Sequence, residues 1–99
     1  MSLPVVLSPQ AAQDANKAKA YYAKISPPLA LAFIDELSMA LRFVQEHPNG
    51  GALVKRGIRQ FPVERFPYLI VYVVHRDVLR IIRVFHTRQN PRRKLRTVG

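Results

Sequence analysis

Residues 66–87 restrict the fold more than any other stretch, because FPYLIVYVVH and VLRIIRVFHT are two strand-forming runs parted only by Arg76 and Asp77. Two such runs separated by two polar residues read as a β-hairpin. A lone hairpin is marginal in water, so the rest of the chain must supply further strands and a layer to cover one face. Taking Arg76-Asp77 as the turn sets a register. It places Val74 opposite Leu79, Tyr72 opposite Ile81, Ile70 opposite Arg83 and Tyr68 opposite Phe85 on one face. On the other, Val71 meets Ile82 and Leu69 meets Val84. The second set is purely aliphatic and is the one expected beneath a covering layer; the first carries Tyr68, Tyr72 and Arg83 and is expected to stay partly open.

The covering layer is written in the first half of the chain. Ser8-Pro9 is a helix start, the serine capping and the proline occupying a position where no N–H is needed. Ala11, Ala15, Ala18, Tyr22 and Ile25 follow at spacings of three and four, which predicts a buried helical stripe over about residues 9–24. Ser26-Pro27 repeats the start signal, and Leu29, Phe33, Leu37, Leu41 and Val44 form a second stripe. The run His47-Pro48-Asn49-Gly50-Gly51 ends that helix. So short a connection between the helices predicts a helical hairpin. Ile58 to Val63 adds a strand weakened by Pro62, Glu64-Arg65 a turn, and Val5-Val6 with Leu3 and Leu7 a short opening strand. The expected architecture is α+β in two layers, β-α-α-β-β-β, with the antiparallel helical hairpin packed on an antiparallel sheet. Residues 1–91 are read as one domain and 92–99, containing RRKLR, as a basic C-terminal tail.

Of 99 residues, 48% are hydrophobic and 22% charged, a globular composition. The absence of cysteine excludes disulfide frameworks, thiolate zinc sites and thiol nucleophiles. His47, His75 and His86 are scattered without ligand spacing, and Gly50-Gly51 follows a helix instead of preceding one. Neither a metal site nor a phosphate-cradling loop is therefore expected, and no cofactor. No apolar run approaches the roughly 20 residues of a membrane span, and residues 1–7 lack the basic start of a secretory signal, so the expectation is a cytoplasmic protein with no membrane partner.

The net charge of +10 is uneven. Four Lys/Arg and four acids balance through residue 54, whereas from Lys55 onward twelve Lys/Arg face only Glu64 and Asp77. Such a half attracts an acidic protein segment or nucleic acid. Its last strand runs out into His86, Thr87 and Arg88, with Arg92 and Arg93 just beyond Asn90-Pro91. A histidine among guanidiniums suits phosphodiester cleavage, the imidazole moving a proton and Arg83 and Arg88 stabilising charge on phosphorus. The same groups, with Arg59 from the preceding strand, suit a surface that contacts a target: Arg59, Arg83, His86, Arg88, Arg92 and Arg93. Arg83 otherwise packs its stem on Tyr72 or Tyr68 with its head in water. Tyr68 and Tyr72 are either stacking platforms for bases or part of the sheet core.

The order of these pieces resembles the RelE/ParE superfamily of toxins from bacterial type II toxin–antitoxin modules, nearer the ParE, plasmid-stabilisation branch. The resemblance runs from LSPQAAQD (7–14) through the helix ending in HPNG (47–50) and GIRQFPVERFPYLIVYVV (57–74). It finishes in LRIIRVFHTRQNP (79–91), similar to the family's closing strand with its His-x-Arg-x-x-Pro ending. It implies a cytoplasmic toxin neutralised, as a hetero-oligomer, by an acidic cognate antitoxin. RelE-type members cut mRNA on the ribosome with a set of basic residues, and ParE-type members poison DNA gyrase by protein contact without that set. The RelE-type arginine after the middle-strand tyrosine is absent here, since Leu69 follows Tyr68, and the lysines of its preceding strand have no match at 58–64. Arg88 does correspond to the arginine ending the RelE-type closing strand. The resemblance therefore points to gyrase inhibition without an enzymatic site, with a ribosome-dependent endoribonuclease using Arg83, His86 and Arg88 as the alternative. A plain nucleic-acid-binding module, suggested by charge alone, is a further one.

Overall fold

The computed structural model describes residues 2–88. Seven elements follow in order: β1 (Val5–Leu7), α1 (Pro9–Ile25), α2 (Pro27–Glu46), β2 (Ala52–Lys55), β3 (Ile58–Val63), β4 (Tyr68–His75) and β5 (Val78–His86). They build the α+β arrangement expected, with one strand added. Both helix starts are capped as the sequence indicates. The Ser8 hydroxyl accepts the Ala11 N–H at 3.0 Å, and that of Ser26 accepts the Leu29 N–H at 3.2 Å. Ser26 also ends α1, its N–H donating to the Tyr22 carbonyl at 2.9 Å, so one residue closes one helix and opens the next. Each such cap contributes on the order of 1 kcal/mol.

The sheet has five strands in the order β1-β5-β4-β3-β2. The added strand, β2, pairs antiparallel with β3 through Ala52↔Gln60 and Leu53↔Arg59. β1 lies parallel to β5, Val5 beside Leu79 and Leu7 beside Ile81. The β4–β5 turn is formed by Arg76 and Asp77, both in the left-handed region at φ 52° and 61°. That conformation suits the twist of a two-residue hairpin turn and costs non-glycine residues about 1–2 kcal/mol each.

The predicted pairing holds from His75↔Val78 to Tyr72↔Ile81 and then fails. A bulge leaves Ile82 without a partner, so that Val71 faces Arg83, Ile70 faces Val84, Leu69 faces Phe85 and Tyr68 faces His86. The junction of β1 and α1 is anchored at this point: the Ser8 N–H donates to the Ile81 carbonyl at 2.9 Å and the Ser8 hydroxyl to the Ile82 carbonyl at 2.7 Å. An extra residue in one strand reverses which side every later residue faces.

The expectation about the two faces is also corrected. The helices cover Ile70, Tyr72, Leu79, Ile81 and Val84, not the set containing Leu69, Val71 and Ile82. The reason is shape and polar satisfaction. Tyr22 and Phe33 from the helices pack edge-on against Phe66 at 4.9 and 5.3 Å and bring Tyr68 into the same cluster. Tyr72, fully buried, hands its hydroxyl to the loop after α2, donating to the Pro48 carbonyl at 2.8 Å and accepting the Gly51 N–H at 3.0 Å. An aromatic face can thus lie under helices without leaving a buried hydroxyl unpaired. Ala11, Ala18, Ala30 and Ala40 are the small residues of this core, with Phe33, Leu37 and Val44 filling it from α2.

Candidate functional site

Where β1 ends, the edge of β5 has no neighbouring strand, and α1 covers it instead. Asp14 accepts the Val84 N–H at 3.0 Å and binds Arg83 at two points, Nε at 2.7 Å and Nη2 at 3.0 Å. A carboxylate thereby completes the ladder and neutralises the mid-strand charge. Both side chains are largely enclosed, with 17% and 15% of their surfaces exposed. The hydrogen bonds to Asp14 raise the Arg83 pKa further, burial acting against them and losing. The guanidinium also lies 4.6 Å from the centroid of the Phe85 ring. Arg83 is thus not a stem on tyrosine with its head in water.

Beside this pair an open groove of about 720 Å³ runs between α1 and the last turns of β4 and β5. Its floor holds Ala18, Tyr22, Pro67 and Tyr68; Lys17, Tyr21, Ile25 and Arg88 stand around it. Tyr21 and Ile25 are each 59% exposed, so the helical stripe expected to be buried through Ile25 ends at Tyr22. His86 leans on Tyr68, ring centroids 5.2 Å apart and 76° between planes. Its Nδ1 accepts the Arg88 N–H at 3.1 Å, so a neutral imidazole carries its proton on Nε2. Burial pushes the Tyr22 and Tyr68 hydroxyls above the ordinary phenol range.

The structure thus brings Arg83, His86 and Arg88 to one groove and leaves Arg59 elsewhere. Arg59 stands opposite Tyr72 on β3, roughly 13 Å along β4 from Tyr68. Its Nη1 donates to the carbonyls of Gly51 at 2.7 Å and Asn49 at 3.4 Å, clamping the loop after α2 to the sheet. Arg92, Arg93 and the tail from residue 92 lie outside the described residues. Sequence reasoning passed over Asp14, Lys17 and Tyr21. Asp14 did carry a signal: it sits three residues after Ala11 and four before Ala18, so a carboxylate interrupts the buried stripe of α1. Among the described residues, no group of three His, Asp or Glu side chains could hold a metal ion, and no helix is long and apolar enough to cross a membrane.

A fold of one opening strand, a helical hairpin and a curled antiparallel sheet, with a basic groove at the end of the closing strand, defines a small toxin-like module. The model of the ParE toxin family, described as the ParE toxin of the type II toxin-antitoxin system parDE, matches residues 5–91. The chain belongs to that family. A toxin of such a module has an antitoxin as its partner. Among solved structures it is similar to a chain of the chromosomal ParDE TA system from P. aeruginosa, with 22% identity, a TM-score of 0.75, 86% of this chain covered and 96% of that one. At that identity the likeness speaks for the fold. No curated relative matches the chain in sequence.

Proposed function

We propose that this protein is a ParE-like toxin that inhibits DNA gyrase by binding it, and that an acidic amphipathic antitoxin segment covering its basic groove neutralises it. The observation that carries the reading is the Asp14–Arg83 pair. Three of the groove's residues match the set a nuclease would use, but Arg83 is held by a carboxylate at 2.7 and 3.0 Å and has no free donor pair to offer a phosphate. His86 adds to this, because the Arg88 N–H occupies its Nδ1 and leaves Nε2 as a donor, the wrong state for a general base at that atom. What the groove does present is exposed Tyr21 and Ile25 flanked by Lys17 and Arg88. Exposed aromatic and aliphatic anchors ringed by cations suit an acidic protein surface.

Purified gyrase supplies the test. The toxin should block supercoiling and accumulate DNA cleavage complexes, and expression should bring growth arrest and an SOS response while translation at first continues. Intact gyrase activity, together with cleavage of ribosome-bound mRNA that Arg88→Ala abolishes, would replace this reading with the RelE-like one, in which Arg83, His86 and Arg88 act on the message. Steeply salt-dependent binding to nucleic acid without growth arrest would instead leave the plain nucleic-acid-binding module.

A further inference from the structure

The side of the sheet away from the helices is not a water-facing surface in composition. Val71 and Phe85 have no exposed area there, and Val54, Ile58 and Ile82 pack around them half-buried. Both α1 and α2 belong to the opposite core. Among the described residues the only charged cover on Phe85 is the Arg83 guanidinium at its edge. A contiguous apolar patch of this kind on a sheet face marks a docking surface.

We propose that its occupant is the chain's own C-terminal segment, residues 89–99, with Leu95 and Val98 as the apolar side chains seated on Val71, Ile82 and Phe85. Position, length and charge favour this occupant over an outside one. The Thr87 N–H donates to the Pro67 carbonyl at 2.8 Å, which fixes where the segment departs, two residues past Phe85. Asn90-Pro91 is a turn signal at the place where the chain must reverse. Eleven residues span up to roughly 36 Å extended, and the way from β5 to β2 is three strand spacings, roughly 14 Å. The segment carries Arg92, Arg93, Lys94 and Arg96. Such a charge would be repelled by a free Arg83, but Asp14 neutralises that residue. The inference goes beyond the proposed function, and it has a consequence for it: Arg92 and Arg93 belong to the second face of the sheet, and the groove on the α1 side works without them.

The full chain tests the proposal, and the lack of cysteine makes a single label unambiguous. A nitroxide on Thr97→Cys should broaden the methyl resonances of Val71, Ile82 and Ile58 and spare Leu37 and Val44 beneath the helices. Uniform intensities, or broadening confined to residues lining the α1 groove, would overturn it. So would broadening carried only between chains in a mixture of spin-labelled and isotope-labelled protein, which would make the occupant a second copy. Independently, Leu95→Asp combined with Val98→Asp should raise binding of a hydrophobic dye several-fold and lower Tm by about 5 °C, while Arg93→Ala leaves both unchanged. Wild-type dye binding and Tm in the double variant would count equally against it.

Discussion

Asp14 on α1 and Arg83 on β5 form a two-point ion pair at 2.7 and 3.0 Å, and the same carboxylate takes the Val84 N–H. Three donors from one strand edge converge on one side chain of a helix, so the pair joins the two layers at the rim of the groove. Removing the acid leaves an enclosed guanidinium and an open backbone N–H together. Asp14→Ala should therefore destabilise the protein by about 2–3 kcal/mol, below the range for a fully buried pair because water still reaches both groups. Arg83→Leu, which leaves Asp14 its bond to Val84, should cost less. Urea denaturation of the two single variants and the double variant measures the coupling.

Tyr72 is the counterpart at the other end of the sheet. Its hydroxyl holds Pro48 and Gly51 of the loop after α2, and Arg59 holds that loop from the side. Tyr72→Phe leaves the Gly51 N–H without its acceptor and should cost about 1–3 kcal/mol, with faster amide exchange at Gly51 as the local signature. Arg59→Ala should release the loop in the same exchange experiment.

Alkaline pH provides a further readout of the buried hydroxyls. Burial raises the pKa of Tyr22, Tyr68 and Tyr72, overcoming for Tyr72 the lowering effects of Gly51 and Arg59. A tyrosine whose folded pKa lies above its unfolded value contributes stability that is whole below about pH 10 and is lost as pH rises from there through the folded value. Stability should fall above pH 10, and an ultraviolet titration should show tyrosines ionising together with unfolding. Replacing Tyr72 by phenylalanine should flatten the fall.

Two glycines separate close approach from backbone conformation. A Cβ on Gly51 would come within 2.6 Å of the Tyr72 hydroxyl and 2.7 Å of the Gln60 carbonyl, whereas one on Gly57 would touch nothing within 4 Å. Gly57 instead holds φ at +64°, in the left-handed region. Gly57→Ala should cost about 1–2 kcal/mol, the penalty of that region alone. Gly51→Ala should cost more and abolish the Tyr72 hydrogen bond, as chemical denaturation compared across the two variants would reveal.

Local signals made much of this fold legible. Ser8-Pro9 and Ser26-Pro27 act within a few residues, and both helices begin where those pairs stand. The Arg76-Asp77 turn likewise dictated pairing as far as Tyr72↔Ile81. Beyond it the register depends on Ser8, 74 residues from the Ile82 carbonyl it holds, and no local pattern carries such information. The same bulge decided which face lies under the helices. β2 escaped notice because ALVK is short and follows two glycines, gaining strand character only by pairing with β3. At the groove, His86 and Arg88 were visible as polar residues ending an apolar strand. Lys17 and Tyr21 were not, since on an isolated helix they look like any solvated face.

Those two residues and Arg88 make the sharpest functional prediction. Lys17 and Arg88 stand at the groove with no ion-pair partner among the described residues, so reversing either charge touches recognition without touching the fold. Lys17→Glu and Arg88→Glu should keep stability within about 0.5 kcal/mol of the parent. Each should weaken binding to an acidic partner about ten-fold or more, chiefly through slower association, and flatten its dependence on salt. Tyr21→Ala, removing an exposed anchor, should act mainly on dissociation. Binding kinetics against gyrase at several salt concentrations would distinguish the two patterns, and growth arrest in cells should follow the measured affinities. Unchanged kinetics in all three variants would move the contact surface away from this groove.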